Sequence, residues 1–155
     1  MQEKKIELSF ILAHLSELSN EEQQLVANAK AAFKTAYAPY SGFVVGASVL
    51  LENGEVINGS NQENVAYPSG LCAERVALFY AGAKFPDVKI NTVAISVLSK
   101  NFEVTDVISP CGACRQVMAE YEDKQHRRIK VILHSPTDEV LIANKVEDLL
   151  PFMFK

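Results

Sequence analysis

The chain has 155 residues, a length typical of one domain, and 48% of them are hydrophobic while 22% are charged. Its formal net charge of −4 argues against a nucleic-acid-binding protein, since phosphate contacts need clustered Lys and Arg. No segment reaches the roughly 18 apolar residues of a membrane span, and the polar start does not resemble a leader peptide. We therefore expect a cytoplasmic protein with no membrane partner.

The first half of the chain predicts a strand, a helix and a β-hairpin, in that order. Apolar residues alternate around 6–12, which predicts a strand within the N-terminal segment 1–18. Ser19 and Glu22 form a capping box, so a helix should begin there, and Pro39 should end it. Two Val- and Ile-containing stretches follow, joined by the turn signal Asn53-Gly54, and they predict strands at 43–51 and 55–61.

The second half alternates between helical and strand patterns. In chain order, the predicted elements are a helix over 72–82, a strand over 91–98, a helix over 111–125, strands over 129–134 and 140–143, and a short helix over 146–150. Pro110 stands just before the second of these helices, where its missing N–H costs no hydrogen bond. Strands with helices between them predict a layered α/β domain, and we expect a single domain over residues 1–155.

Three cysteines are the strongest chemical signal in the chain. Their odd number prevents complete pairing as disulfides, and in a reducing compartment metal binding or catalysis explains them better. Cys111 and Cys114 are three residues apart at a predicted helix start, so both sulfurs share one face. Cys72 also begins a predicted helix, and helix N-termini favour thiolates. Three thiolates without a fourth protein ligand are typical of an open, catalytic zinc site.

A C-x-x-C pair alone is ambiguous, since a redox pair, half of a structural zinc site or two core thiols would show the same spacing. Glu74 favours the catalytic interpretation because it lies two residues from Cys72. A carboxylate there can carry protons beside a metal site without binding the metal itself. Zinc deaminases combine such a glutamate with three zinc ligands and a downstream P-C-x-x-C.

Four stretches of the chain resemble the small homotetrameric, zinc-dependent cytidine deaminases. They are Tyr40–Ala47, Asn61–Gly70, Cys72–Arg75 and Pro110–Gln116. The resemblance implies a three-layer α/β/α sandwich with a mixed sheet and one Zn²⁺ per chain, bound by the three cysteines. It also implies hydrolytic deamination of cytidine and 2′-deoxycytidine to uridine and 2′-deoxyuridine, in pyrimidine salvage, by a homotetramer with shared active sites.

The resemblance assigns substrate contacts to individual residues. It implies that Asn61 and Glu63 hydrogen-bond the ribose and that Phe43 contacts the pyrimidine. Tyr67 would reach the sugar bound by a neighbouring subunit, and Phe154 would close an adjacent subunit's pocket. Without the resemblance, Asn61 and Glu63 equally fit polar strand ends, Phe43 and Phe154 fit core aromatics, and Tyr67 fits an interface or core tyrosine.

The remaining assignments concern the segment after Cys72. The resemblance places Ala73 at the substrate, Glu74 as the catalytic proton carrier and Arg75 as a hydrogen-bond donor to the zinc thiolates. By residue type alone, Arg75 also fits a surface ion pair. Two other functions stay open: a zinc deaminase for another aminated ring, and a zinc-stabilised interaction domain without activity. The chain departs from the family in its added segment 1–18 and in Lys100, where many relatives have Asp.

Overall fold

Six strands form one mixed sheet within residues 1–154, the part of the chain that this computed structural model describes. The elements in chain order are β1 (Ile11–His14), α1 (Asn20–Ala31), β2 (Phe43–Leu51), β3 (Val56–Ser60), α2 (Ala73–Lys84), β4 (Ile90–Ser99), α3 (Gly112–Gln125), β5 (Lys130–His134) and β6 (Glu139–Ala143). Short 3-10 turns cover Leu15–Glu17, Ala32–Thr35, Tyr67–Ser69 and Val146–Asp148. The order of strands and helices matches the sequence prediction, except that the predicted last helix is the 3-10 turn Val146–Asp148.

The strands lie in the order β1-β6-β5-β4-β2-β3. Only the central pair, β4 and β5, is parallel within this sheet, and α3 makes the crossover that a parallel pair requires. The other four neighbouring pairs are antiparallel. The mixed sheet is therefore confirmed, and its parallel centre lies next to the helix that carries two of the three cysteines.

Helices cover both faces of the sheet. Val49 and Leu51 point to the face that carries α2 and α3, while Leu50 between them points to α1. This alternation follows from the period of two along a strand, and it repeats in β4 and β5. The predicted three-layer α/β/α sandwich is confirmed.

Two glycines allow the helices to approach the sheet closely. A Cβ atom at Gly46 in β2 would overlap the backbone carbonyl oxygen of Ala29 in α1. On the opposite face, a Cβ at Gly59 in β3 would lie 2.6 Å from the backbone nitrogen of Ala77 and 2.7 Å from the carbonyl oxygen of Ala73, both in α2. The close distance between β3 and the first turns of α2 is thus possible because Gly59 has no side chain.

Two sequence predictions were wrong in their bounds. The first strand covers only Ile11–His14, because β6 offers partners to those four residues and to none of the residues before them. The first helix ends at Ala31 and continues as a 3-10 turn, well before Pro39. The chain leaves the helix there because the N–H and C=O of Tyr37 pair with the backbone of Asn61 and Glu63.

A buried histidine links both strands of the parallel pair to α1. Nδ1 of His134 lies 2.8 Å from Oγ of Ser96, and its Nε2 lies 2.9 Å from a carboxylate oxygen of Asp138. Lys30 of α1 approaches the same carboxylate at 3.6 Å. Burial lowers the pKa of His134, so the neutral ring is the form that the fold favours.

Among residues 1–154, no helix has the length and apolar character needed to cross a membrane.

Candidate active site

The three thiols meet where α2 and α3 begin. Cys72 is the N-cap of α2, Cys111 is the N-cap of α3, and Cys114 lies in the first turn of α3. Sγ of Cys111 is 3.8 Å from Sγ of Cys72 and 3.5 Å from Sγ of Cys114, and all three sulfurs lie within 4.8 Å of one another. In the described part of the chain, this is the one group of three or more His, Cys, Asp or Glu side chains that lie close enough together to share a metal ion.

The spacing of the sulfurs fits zinc. Ligands at about 2.3 Å from a tetrahedral zinc lie about 3.8 Å from each other, close to the two sulfur–sulfur distances above. A hydrogen bond from the Cys114 thiol, with help from Arg75, lowers the pKa of Cys72 to about 5. The pKa of Cys114 is raised because its thiol gives that same hydrogen bond. Of these two thiols, Cys72 is therefore the one that the surroundings favour as a thiolate.

Glu74 lies beside the thiols in the first turn of α2. Glu74 is only 4% exposed, and its buried Oε2 has no hydrogen-bond partner among residues 1–154. Burial raises the pKa of Glu74 to about 7, and the negative charge of Cys72 acts in the same direction. A carboxylate that accepts and releases a proton near neutral pH, and has a free oxygen, is suited to carry protons for a reaction at the thiol cluster.

Arg75 follows Glu74 and turns its guanidinium toward the sulfurs. Nη2 donates to Sγ of Cys72 at 3.8 Å, and the buried Nε has no hydrogen-bond partner in the described part of the chain. The positive charge of the guanidinium therefore lies close to the Cys72 sulfur, and its role in offsetting thiolate charge stays a prediction. Ala73 is fully buried in the core beneath this turn. Within residues 1–154, its side chain is not part of the cavity wall, so its contact with substrate stays a prediction.

A cavity of about 650 Å³ opens above the thiols. Its wall includes Cys72, Cys111, Glu74 and Arg75 together with predicted substrate residues from three other segments, namely Phe43, Asn61, Glu63 and Tyr67. The structure thus brings together residues that are up to 68 positions apart in the chain, from Phe43 to Cys111. The volume is within the range of small-molecule sites, which usually measure about 300–1,000 Å³.

Asn61 and Glu63 are both held by hydrogen bonds within the chain. Oδ1 of Asn61 accepts from the N–H of Val45 at 2.8 Å, and its Nδ2 donates to the carbonyl of Phe43 at 2.9 Å. One N–H and one lone pair of the carboxamide remain for a ligand. The carboxylate of Glu63 accepts from the Ser41 hydroxyl and from two backbone N–H groups, and these bonds lower its pKa. Glu63 is therefore an ionised acceptor at neutral pH.

The predicted aromatic contacts differ in their surroundings. The ring of Phe43 stacks on Phe102 with centroids 5.9 Å apart. Tyr67 lies on the cavity rim, 78% exposed, with its ring edge-on to Tyr40. Phe154 is 85% exposed, outside the cavity wall formed by residues 1–154, and its backbone pairs with the Gln116 carboxamide. Roles for Tyr67 and Phe154 in a neighbouring subunit stay predictions.

Sequence reasoning missed three residues that shape this cavity. Ser41 holds Glu63, while Asn101 and Phe102 reach from the loop after β4 to the segment that precedes β2. Ser41 lies inside a stretch that resembles the deaminase family, but the resemblance implies no role for it. Asn101 and Phe102 gave no local signal, because their partners lie about 60 residues earlier in the chain.

Comparison with known proteins places these features in a family. The family model "Cytidine and deoxycytidylate deaminase zinc-binding region" matches residues 19–129. The chain is 45% identical over 100 residues to the cytidine deaminase of Halalkalibacterium halodurans, over 64% of this chain and 71% of that protein. It is 35% identical over 130 residues to the cytidine deaminase of Mycobacterium tuberculosis, over 82% and 84% of the two chains.

A crystal structure gives the same result for the fold. Cytidine deaminase from Burkholderia pseudomallei superposes with a TM-score of 0.75 at 37% identity, over 88% of this chain and 100% of that one. The thiol cluster fits a zinc ion, and the family model that matches is named for a zinc-binding region. The chain therefore belongs to the zinc-dependent cytidine and deoxycytidylate deaminase family.

Proposed function

We propose that this chain deaminates cytidine hydrolytically, with water replacing the amino group at C4 so that uridine and ammonia are formed. The observation that carries the proposal is Glu74: a buried carboxylate whose Oε2 has no hydrogen-bond partner within residues 1–154, next to a cluster of three thiols of which Cys72 and Cys111 line a nucleoside-sized cavity. The relatives named above, all cytidine deaminases, support the same substrate. We extend the proposal to 2′-deoxycytidine, since the family resemblance described above implies both nucleosides.

Bound zinc supplies a Lewis acid that lowers the pKa of a water ligand to about 7. Glu74 accepts a proton from the attacking water and delivers it to N3 of the base, which makes C4 more electrophilic as the C–O bond forms. Glu74 then takes the proton of the new hydroxyl group and passes it to the amino group. The C4–N bond breaks, ammonia leaves, and the C4 carbonyl of uridine forms. Each transfer leaves Glu74 in the protonation state that the next one needs.

The other cavity residues bind and orient the nucleoside. Phe43 lies against the pyrimidine, and Asn61 and Glu63 use their remaining hydrogen-bonding capacity for sugar hydroxyls. Arg75 holds Cys72 and offsets thiolate charge. Ala73, placed at the start of α2 beside Glu74, contributes its backbone to the base.

A homotetramer with shared active sites completes the proposal. Tyr67 and Phe154 are the most exposed of the predicted substrate residues, which suits side chains that reach a neighbouring subunit. The three cysteines are free, which suits a reducing, cytoplasmic compartment. Light scattering should give a mass close to four chains, and a fully active monomer would contradict the shared sites.

Replacement of Glu74 by Gln tests the mechanism. The amide keeps the size of the side chain but cannot carry protons, so Glu74→Gln should retain zinc and bind cytidine. Its turnover should fall by more than the 10²–10⁴-fold that general acid–base help is worth, since one residue serves several steps. The assay follows the absorbance change from cytidine to uridine, with zinc measured in the same sample.

Glu103→Gln is the matched control, because Glu103 is exposed and lies in the loop between β4 and α3, outside the cavity wall formed by residues 1–154. It should keep full turnover. Near-normal turnover in zinc-replete Glu74→Gln would show that another group moves the protons. Side-by-side assays of cytidine, 2′-deoxycytidine, dCMP and blasticidin separate this activity from deamination of another aminated ring. A zinc-replete wild-type protein inert toward all of them would indicate an interaction domain.

A further inference from the structure

The loop between β4 and α3 contacts the cavity wall through three consecutive residues. The N–H of Lys100 donates to the carbonyl of Gly42 at 3.0 Å, and Nδ2 of Asn101 donates to the carbonyl of Ser41 at 2.7 Å. Phe102 stacks on Phe43 with its ring only 9° from parallel. We call these contacts of residues 100–102 with residues 41–43 the clamp.

We propose that Asn101 is a positioning residue for sugar recognition, which acts through the clamp to hold the carboxylate of Glu63 in place for a ribose hydroxyl. The proposal rests on the proposed function, in which Glu63 binds the sugar. Asn101 itself touches no substrate in this proposal, since its side chain is not part of the cavity wall formed by residues 1–154 and its Nδ2 donates to the carbonyl of Ser41.

The position of Glu63 depends on the clamped turn. Its side-chain bonds come from two neighbouring residues: the backbone N–H of Tyr40 at 2.9 Å, the N–H of Ser41 at 3.3 Å and the Ser41 hydroxyl. A carboxylate has about four lone-pair sites, so three bonds fix its orientation and leave one site for a ligand. Any movement of Tyr40 and Ser41 would therefore move the remaining acceptor site of Glu63.

The turn's other contacts are local or at the surface. The N–H of Gly42 donates to the carbonyl of Ala38 at 3.1 Å, the N–H of Phe43 donates to the Ser41 hydroxyl at 3.0 Å, and the Tyr40 ring lies edge-on to Tyr67. Tyr40 is half-exposed and Ser41 is exposed, so neither is anchored in the core. Gly42 has a φ of +66°, a conformation that side-chain-bearing residues rarely adopt, and a Cβ there would meet the Asn101 carboxamide at 2.5 Å. The glycine and the asparagine thus fit against each other, and the loop closes over the turn at the one place where the turn lacks a side chain.

The clamp is also hydrogen-bonded to the end of the central strand β4. The Ser99 hydroxyl at the end of β4 accepts from the N–H groups of Asn101 and Phe102, both at 3.2 Å. Two residues earlier in β4, Val97 lines the same cavity. Asn101 therefore adds a side-chain bond to the turn beside the backbone bond from Lys100 to Gly42, and both connect the turn to the end of β4.

Asn101→Asp is the sharpest test, because it keeps the shape of the side chain and replaces the donor to Ser41 with an acceptor. We expect KM for cytidine to rise about 3- to 10-fold, the range of one lost hydrogen bond, with kcat changed less than about twofold. The dissociation constant of cytidine, measured by calorimetry on Glu74→Gln protein, should rise by the same factor. Zinc content and melting temperature should match the wild type, and Glu103→Gln should change none of these quantities.

A double-mutant cycle decides whether Asn101 acts through Glu63. Once Glu63→Ala has removed the carboxylate, adding Asn101→Asp should weaken cytidine binding no further. An unchanged dissociation constant in Asn101→Asp, or equal effects with and without Glu63, would overturn the proposal. An equal fall in kcat and rise in KM, with a lowered melting temperature, would assign Asn101 a merely structural role and also overturn it. Wild-type protein that binds cytidine but does not convert it would refute the proposed function alone, since the binding cycle still tests the clamp.

Discussion

A methyl group added at Gly59 should weaken zinc binding without any change to a cysteine. Gly59→Ala places a Cβ 2.6 Å from the backbone nitrogen of Ala77 and 2.7 Å from the carbonyl oxygen of Ala73. Ordinary contacts begin at 3.4 Å, so the first turns of α2 must yield by about 0.8 Å, because neither atom belongs to a flexible side chain. Cys72 and Glu74 lie in or next to that turn and would move with it, whereas α3 keeps the other two thiols in place.

The shift is several times the roughly 0.2 Å tolerance of metal–ligand distances. We therefore expect zinc affinity to fall about 10–100-fold, the range seen when the support of a metal ligand is lost. Overpacking should also lower the free energy of unfolding by about 1–3 kcal/mol. Competition with a coloured chelator measures the affinity, and urea denaturation measures the stability.

Gly46→Ala is the matched control, because the same methyl group is added to the neighbouring strand but pushes against Ala29 of α1 on the other face. It should destabilise the fold while zinc affinity in the folded protein stays close to the wild type. Folded Gly59→Ala protein with wild-type zinc affinity would refute the reasoning, and so would an equal loss of affinity in both variants.

Three further perturbations address the charges and the exposed terminus. The pKa of His134 is lowered in the fold, so the unfolded chain takes up a proton more readily than the folded chain. The free energy of unfolding should therefore be highest above the unfolded-state pKa of about 6.5 and should fall as the pH drops below that value. Urea midpoints measured between pH 7.5 and 5.5 should show a smaller drop for His134→Gln, and identical drops would contradict this. Arg75→Ala should move the acidic limb of the pH–rate profile to higher pH, since no charge then offsets the thiolate of Cys72; an unmoved limb would place Arg75 outside the site. Phe154→Ala should raise KM with zinc content unchanged, and an unaltered KM would remove Phe154 from the substrate pocket.

The sequence predicted the elements well where local signals and tertiary pairing agree. The strand Phe43–Leu51 has its predicted bounds because its β-branched residues are followed by Asn53-Gly54, and Gly54 does adopt a positive φ of 85°. Prediction was poorer where a partner decides the bounds. Residues 6–10 alternate as a strand should, but β6 is too short to pair with them.

The same distinction applies to the site. The cysteines and Glu74 could be found from spacing, because Cys111 and Cys114 share one helix face and Glu74 follows Cys72 by two residues at the start of another helix. The support of Glu63 could not, because its partners at 40 and 41 become neighbours only when the turn before β2 folds onto the end of β3. The sequence also gave no indication that Asn61 would use half of its carboxamide to join β2 to the end of β3.

The thiol cluster also closes a long loop of the chain. Cys72 and Cys111 are 39 residues apart, and the segment between them contains α2, the whole central strand β4 and the loop that clamps residues 41–43. The fold already holds both thiols together, whereas an ion that bound both thiols of the unfolded chain would have to close this loop, at an entropic cost that grows with loop length. Metal binding therefore favours the folded chain through entropy as well as through its bonds, and the order of β4 becomes linked to the concentration of free metal.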